Sequence, residues 1–103
     1  MPTCNKLVRD KILEIIEANG QQATHKILED DEYAEELVKK LFEEVEEYKK
    51  DRNTDELADI MEVVYALAKL HGCTPERLEQ IRLDKAQKRG GFDKKIFLEE
   101  VRG

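Results

Sequence analysis

Apolar residues along the chain recur at helical spacing in four separate stretches, each bounded by polar or turn-forming residues. Leu7, Val8, Ile12, Ile15 and Ile16 mark the first, and "ANG" closes it with a glycine suited to a helix end, so the pattern predicts a helix over Leu7 to Asn19. The following "QQATHKILED" holds one short apolar pair and reads as a connector or a short strand. A second helix is predicted from about Asp31 to Lys50, with Tyr33, Leu37, Leu41, Val45 and Tyr48 along its inner stripe. "KDRN" interrupts it. Asn53 then caps a third helix that continues to about His71, with Glu56 three places on in a loose capping box. Thr74 and Pro75 open a fourth, carrying Leu78, Ile81 and Leu83 and ending near "KRGGF". The tail "DKKIFLEEVRG" either docks through Phe92, Ile96, Phe97 and Leu98 or stays loose. The expected architecture is an all-α bundle in a single domain, residues 1–103.

At about 100° per residue, the apolar positions of the third helix cover an arc of roughly 220°. An arc that wide predicts burial on most sides, against the chain itself and against a partner chain. Glu56 falls inside the arc and Asp59 at its edge. On the second helix Glu44 sits at the margin of the apolar face, Glu47 lies further out on the same side, and Glu43 points more toward solvent than Glu44.

Composition narrows the class. The chain has 103 residues, 40% hydrophobic and 41% charged, with two prolines and no tryptophan, a mixture that favours helices. The net charge of −6 argues against a nucleic-acid phosphate backbone as partner. No apolar run reaches membrane-spanning length and the N-terminus lacks a signal-peptide core, so a cytoplasmic protein without a membrane partner is expected. Cys4 and Cys73 form no metal-binding spacing and read as bystanders.

A hairpin hinged near Asp51 and Arg52 brings Glu47 opposite Glu56 and Glu44 opposite Asp59, two carboxylates from each helix. Unpaired, such a group opposes its own ionisation. A hard divalent cation offsets that, and Mg²⁺ suits a site of carboxylates without histidine. The competing explanation is a solvated acidic face with i,i+4 pairs such as Lys40 with Glu44 and Glu46 with Lys50, and first-turn acids favoured by the helix dipole. It accounts for Glu56 better than for Asp59, and not for the mirrored spacing.

"KLFEEVEEY" followed by "DELADIMEVVYAL" resembles the E-x-x-E and E-x-x-D signature of the MazG-like all-α nucleoside triphosphate pyrophosphohydrolases, relatives of phosphoribosyl-ATP pyrophosphohydrolases and dimeric dUTPases. "NKLVRDKILEII" and "KAQKRGGFDKKIFL" resemble the small branch of that group, so the likeness spans nearly the whole chain. The resemblance implies a four-helix bundle and hydrolysis of a nucleoside triphosphate to the monophosphate and pyrophosphate, with modified or non-standard nucleotides as substrates. It implies Glu44, Glu47, Glu56 and Asp59 as Mg²⁺ ligands, Glu43 as the acid preceding the first pair, and a homodimer or higher homo-oligomer. The hairpin is shorter than in many members, which leaves less loop for recognising a base.

Phosphate also calls for cations. Lys6 and Arg9 share one face by spacing, as do Lys85 and Arg89, and each pair is either an anion grip or a solvated rim. Tyr48, Tyr65 and Phe92 are candidates for base stacking, or core residues. A different class fits the same residues: a non-enzymatic helical dimerisation or adaptor module whose acidic face binds a basic partner.

Overall fold

A computed structural model describes residues 4–103, and among them the regular structure is four α-helices with no strand. They are α1 (Ile12–Ala18), α2 (Asp30–Asp51), α3 (Thr54–Leu70) and α4 (Pro75–Arg89). Among the described residues no helix is long and apolar enough to cross a membrane.

The two central helices follow the expected bounds closely because their ends are chemically marked. Asp30, Asp31 and Glu32 occupy the first turn of α2 and Lys49 and Lys50 its last, each complementing the helix dipole. Arg52 stops α2 by turning into the left-handed region, φ 55° and ψ 43°, while its amide bonds the Tyr48 carbonyl at 2.8 Å. Asn53 restarts the chain: its Oδ1 accepts the Glu56 amide at 3.1 Å. Thr74 does the same for α4, accepting the Arg77 amide at 3.1 Å with Pro75 behind it.

The first helix differs from the expectation. It spans only Ile12–Ala18, without a side-chain N-cap, and residues 4–11 are not helical. Lys6 and Arg9 instead pair with Glu43 on α2 and Asp59 on α3, so this stretch follows tertiary contacts and not its own local periodicity. Residues 21–29 are a connector and not a strand.

Packing is sparse. α2 lies against α3, α4 touches α3 lightly, and the buried apolar residues are Leu37 at 3% exposure with Val63 and Ala68 at 7%. The radius of gyration is 18.2 Å, against about 13 Å for a compact chain of this length. Two features account for the difference. The C-terminal arm after Gly90 does not dock on its own chain, with Phe92 97% and Phe97 88% exposed. The expected burial of α3 on most sides is also not met within one chain, since Leu57, Met61 and Tyr65 stay open to solvent.

Candidate metal centre

The tight turn at Arg52 and Asn53 makes α2 and α3 antiparallel neighbours, so carboxylates near the turn face each other. Glu44, Glu56 and Asp59 each place a carboxylate oxygen within 4.8 Å of the others, and all three are half-buried. A second triplet, Glu47, Asp51 and Glu56, meets the same criterion nearer the hinge, with Glu47 and Asp51 exposed. Glu56 belongs to both. The four carboxylates singled out in the sequence therefore lie together as two overlapping groups joined through Glu56.

Asp51 joins that set unforeseen as a ligand-type residue. Its signal is simple: it stands four residues after Glu47 on the same face of α2. Glu56 is the carboxylate most affected by the crowding. Partial burial raises its pKa above the ordinary 4.5, followed by the Asp51 charge, a side-chain hydrogen bond with Asp51, and the charges of Asp59 and Glu47.

Cations press on the group from the other side. Arg9 Nη2 donates to Asp59 Oδ1 at 2.7 Å. Lys40, itself largely buried, lies 3.6 Å from Glu44 and 3.4 Å from Glu43, and Lys6 lies 3.6 Å from Glu43. Glu43 is the more solvent-facing of the neighbouring pair, its side chain 39% exposed against 13% for Glu44. A cleft of about 290 Å³ opens here, lined by Lys6, Val8, Arg9, Ile12, Lys40, Glu44 and Asp59. Small-molecule pockets start near ~300 Å³, so the cleft lies at the small end of that range.

The two predicted basic pairs separate here. Lys6 and Arg9 flank the carboxylates, whereas Lys85 and Arg89 stand exposed on α4 and line no part of this cleft. The reason is that α4 leaves the hairpin after Gly72 and packs only along α3. Among the aromatic candidates, Tyr48 is half-buried on α2 and Tyr65 exposed on α3, while Phe92 projects from the arm; none lines the cleft.

The donor set suits a hard cation. Ligand oxygens on opposite sides of an octahedral Mg²⁺ are ~4.2 Å apart, given Mg–O distances near 2.1 Å. Neighbouring ligand oxygens on the same ion are ~3.0 Å apart, so the three carboxylates, now within 4.8 Å of one another, would close in on binding. In comparisons with known proteins, the chain matches no family model, no curated protein and no solved structure.

Proposed function

We propose that this chain is a Mg²⁺-dependent pyrophosphohydrolase that converts a nucleoside triphosphate, of modified or non-standard type, to the monophosphate and pyrophosphate, on a bundle of the MazG-like kind. The observation that carries the reading is the convergence of Glu44, Glu56 and Asp59 across the hairpin, with Arg9 and Lys6 at its rim.

Glu44, Glu56 and Asp59 would hold the cation, and Glu47 with Asp51, grouped with the same Glu56, would offer further oxygens. Bound there, Mg²⁺ neutralises polyphosphate charge and lowers the pKa of a water. The chain's own groups do the rest. With a cation held there, Asp59 would serve it in place of Arg9, which would leave the guanidinium free to grip two phosphate oxygens in a bidentate fork. Lys6 offers a second positive charge, and Lys40 holds Glu43 and Glu44 in place from below. A water held among the carboxylates adds to phosphorus, the bond to the pyrophosphate leaving group breaks, and the released proton passes to a carboxylate of the cluster.

The direct test is pyrophosphate release from a panel of standard and modified triphosphates, with and without Mg²⁺. Turnover of at least one modified triphosphate that disappears on chelation is expected. No turnover of any, together with no Mg²⁺ binding by calorimetry, refutes the enzyme reading and favours the acidic adaptor module.

A further inference from the structure

Over residues 5–11 the local sequence and the backbone disagree. Val8 continues the spacing of Ile12 and Ile15 backwards, yet α1 begins only at Ile12, with no side-chain cap from Lys11 before it. A turn in the helical sense is already begun, the Ile12 amide bonding the Arg9 carbonyl at 3.1 Å. Upstream, Asn5 stands in the left-handed region at φ 42°, which asparagine tolerates better than most side chains. Asparagine is also a preferred N-cap. A helix extended back to Lys6 would return Asn5 to an extended φ and set its side chain against the Val8 amide. Asn53 is set against the Glu56 amide in the same way. Two ion pairs hold the segment open, Lys6 with Glu43 at 3.6 Å and Arg9 with Asp59 at 2.7 Å. All four side chains are well exposed, so each pair is weak and screened by salt.

We propose that residues 5–11 are a two-state strap, clamped on Glu43 and Asp59 in the empty chain and coiled into the first turns of α1 when a polyphosphate is bound. Clamped, Lys6 and Arg9 serve two different helices, α2 and α3. Coiled, they stand three residues apart on one face, with Cβ atoms about 5–6 Å from each other, and together fit one anionic chain. The strap supplies Lys6, Val8 and Arg9 to the wall of the cleft, so coiling also reshapes the approach to Glu44 and Asp59. The balance between the two forms is fine. α1 already provides the costly helical nucleus, so residues added before it gain backbone bonds without a new one. Each exposed pair favours the clamped form by no more than ~5-fold. An anion that prefers the coiled form shifts that balance by its difference in affinity for the two. Polyphosphate as the trigger rests on the proposed activity, whereas the two forms of the segment do not.

Cα chemical shifts of residues 6–11 in the isotope-labelled full chain read the two forms directly. At low salt without ligand they are expected to be non-helical. In the double variant Lys6→Gln/Arg9→Gln they are expected to turn helical, the ratio of coiled to clamped chains rising by up to ~25-fold, two factors of ~5. The unaltered protein is expected to move the same way in about 0.5 M NaCl, which screens exposed pairs, and with Mg²⁺ plus inorganic triphosphate. Helical shifts in the untreated wild type overturn the proposal. So does a double variant that stays non-helical, or a wild type that stays non-helical with Mg²⁺ and inorganic triphosphate. Pyrophosphate release separates the strap from the activity. Helical shifts without turnover of any nucleotide support the strap and remove the activity, and turnover without such shifts does the reverse.

Discussion

Arg9 and Asp59, fifty residues apart, meet through a 2.7 Å hydrogen bond between guanidinium and carboxylate. The pair ties the N-terminal segment to α3 and places a positive charge where the proposed cation would sit. Both side chains are well exposed, at 56% and 40%, so the pair itself contributes no more than ~1 kcal/mol to folding.

Arg9→Ala should therefore leave the melting temperature almost unchanged while moving two binding constants in opposite directions. With its competitor gone, Mg²⁺ should bind up to ~5-fold more tightly, the equivalent of that same ~1 kcal/mol. The KM for triphosphate should rise, because the phosphate grip is lost. Calorimetry with Mg²⁺ alone and steady-state kinetics read the two effects separately. A weaker Mg²⁺ affinity in Arg9→Ala contradicts the exchange of partners at Asp59.

Metal should stabilise the fold through the carboxylates alone. At ten times its dissociation constant, Mg²⁺ adds about 1.4 kcal/mol to the unfolding free energy. Thermal melts with and without Mg²⁺ should show that gain in the wild type and little of it in Glu56→Gln or Asp59→Asn, both of which should keep their helix content and lose turnover. Equal gains in all three would place the stabilising ion elsewhere.

Without metal, Glu56 predicts a definite pH dependence. Its pKa is raised in the folded state, by partial burial first and then by Asp51, Asp59 and Glu47. The folded state thus binds more protons than the unfolded one between the ordinary 4.5 and the raised value. Stability contributed by Glu56 must fall as pH rises through that window, and the penalty is complete above the raised pKa. Glu56→Gln should flatten the slope there in denaturant titrations. A wild-type slope of opposite sign that Glu56→Gln removes would contradict it.

The hinge offers a test of how α2 and α3 are joined. Arg52 is a non-glycine residue at φ 55°, so Arg52→Gly should stabilise the chain by about 0.5–1 kcal/mol by relieving the left-handed backbone. Asn53→Ala should cost about 1 kcal/mol through loss of the bond to the Glu56 amide. Urea midpoints decide both.

How far the chain can be read from its sequence varies element by element. The bounds of α2, α3 and α4 were legible because caps are local chemistry: Asn53 and Thr74 each accept an amide three residues on. The facing of Glu44 with Asp59 and of Glu47 with Glu56 was legible too, since a short turn leaves an antiparallel pair little freedom of register. What escaped depends on distant contacts. The helical pattern of Leu7 and Val8 gives no hint that Lys6 and Arg9 leave the helix for Glu43 and Asp59. The basic character of Lys85 and Arg89 gives none of where α4 carries them. Nor do Phe92 and Phe97 tell, from their hydrophobicity, whether a surface of their own chain receives them.

The most direct test of the metal centre is to locate a divalent ion. Mn²⁺ titrated at sub-stoichiometric amounts into isotope-labelled protein broadens amide signals near wherever it binds. The expected result is broadening centred on residues 44, 47, 56 and 59, reversed by excess Mg²⁺ and absent in Glu56→Gln. Broadening spread over other acidic stretches, such as Glu29 to Glu32 or Glu99 and Glu100, would contradict the account, because the hairpin carboxylates would then be only a solvated acidic face.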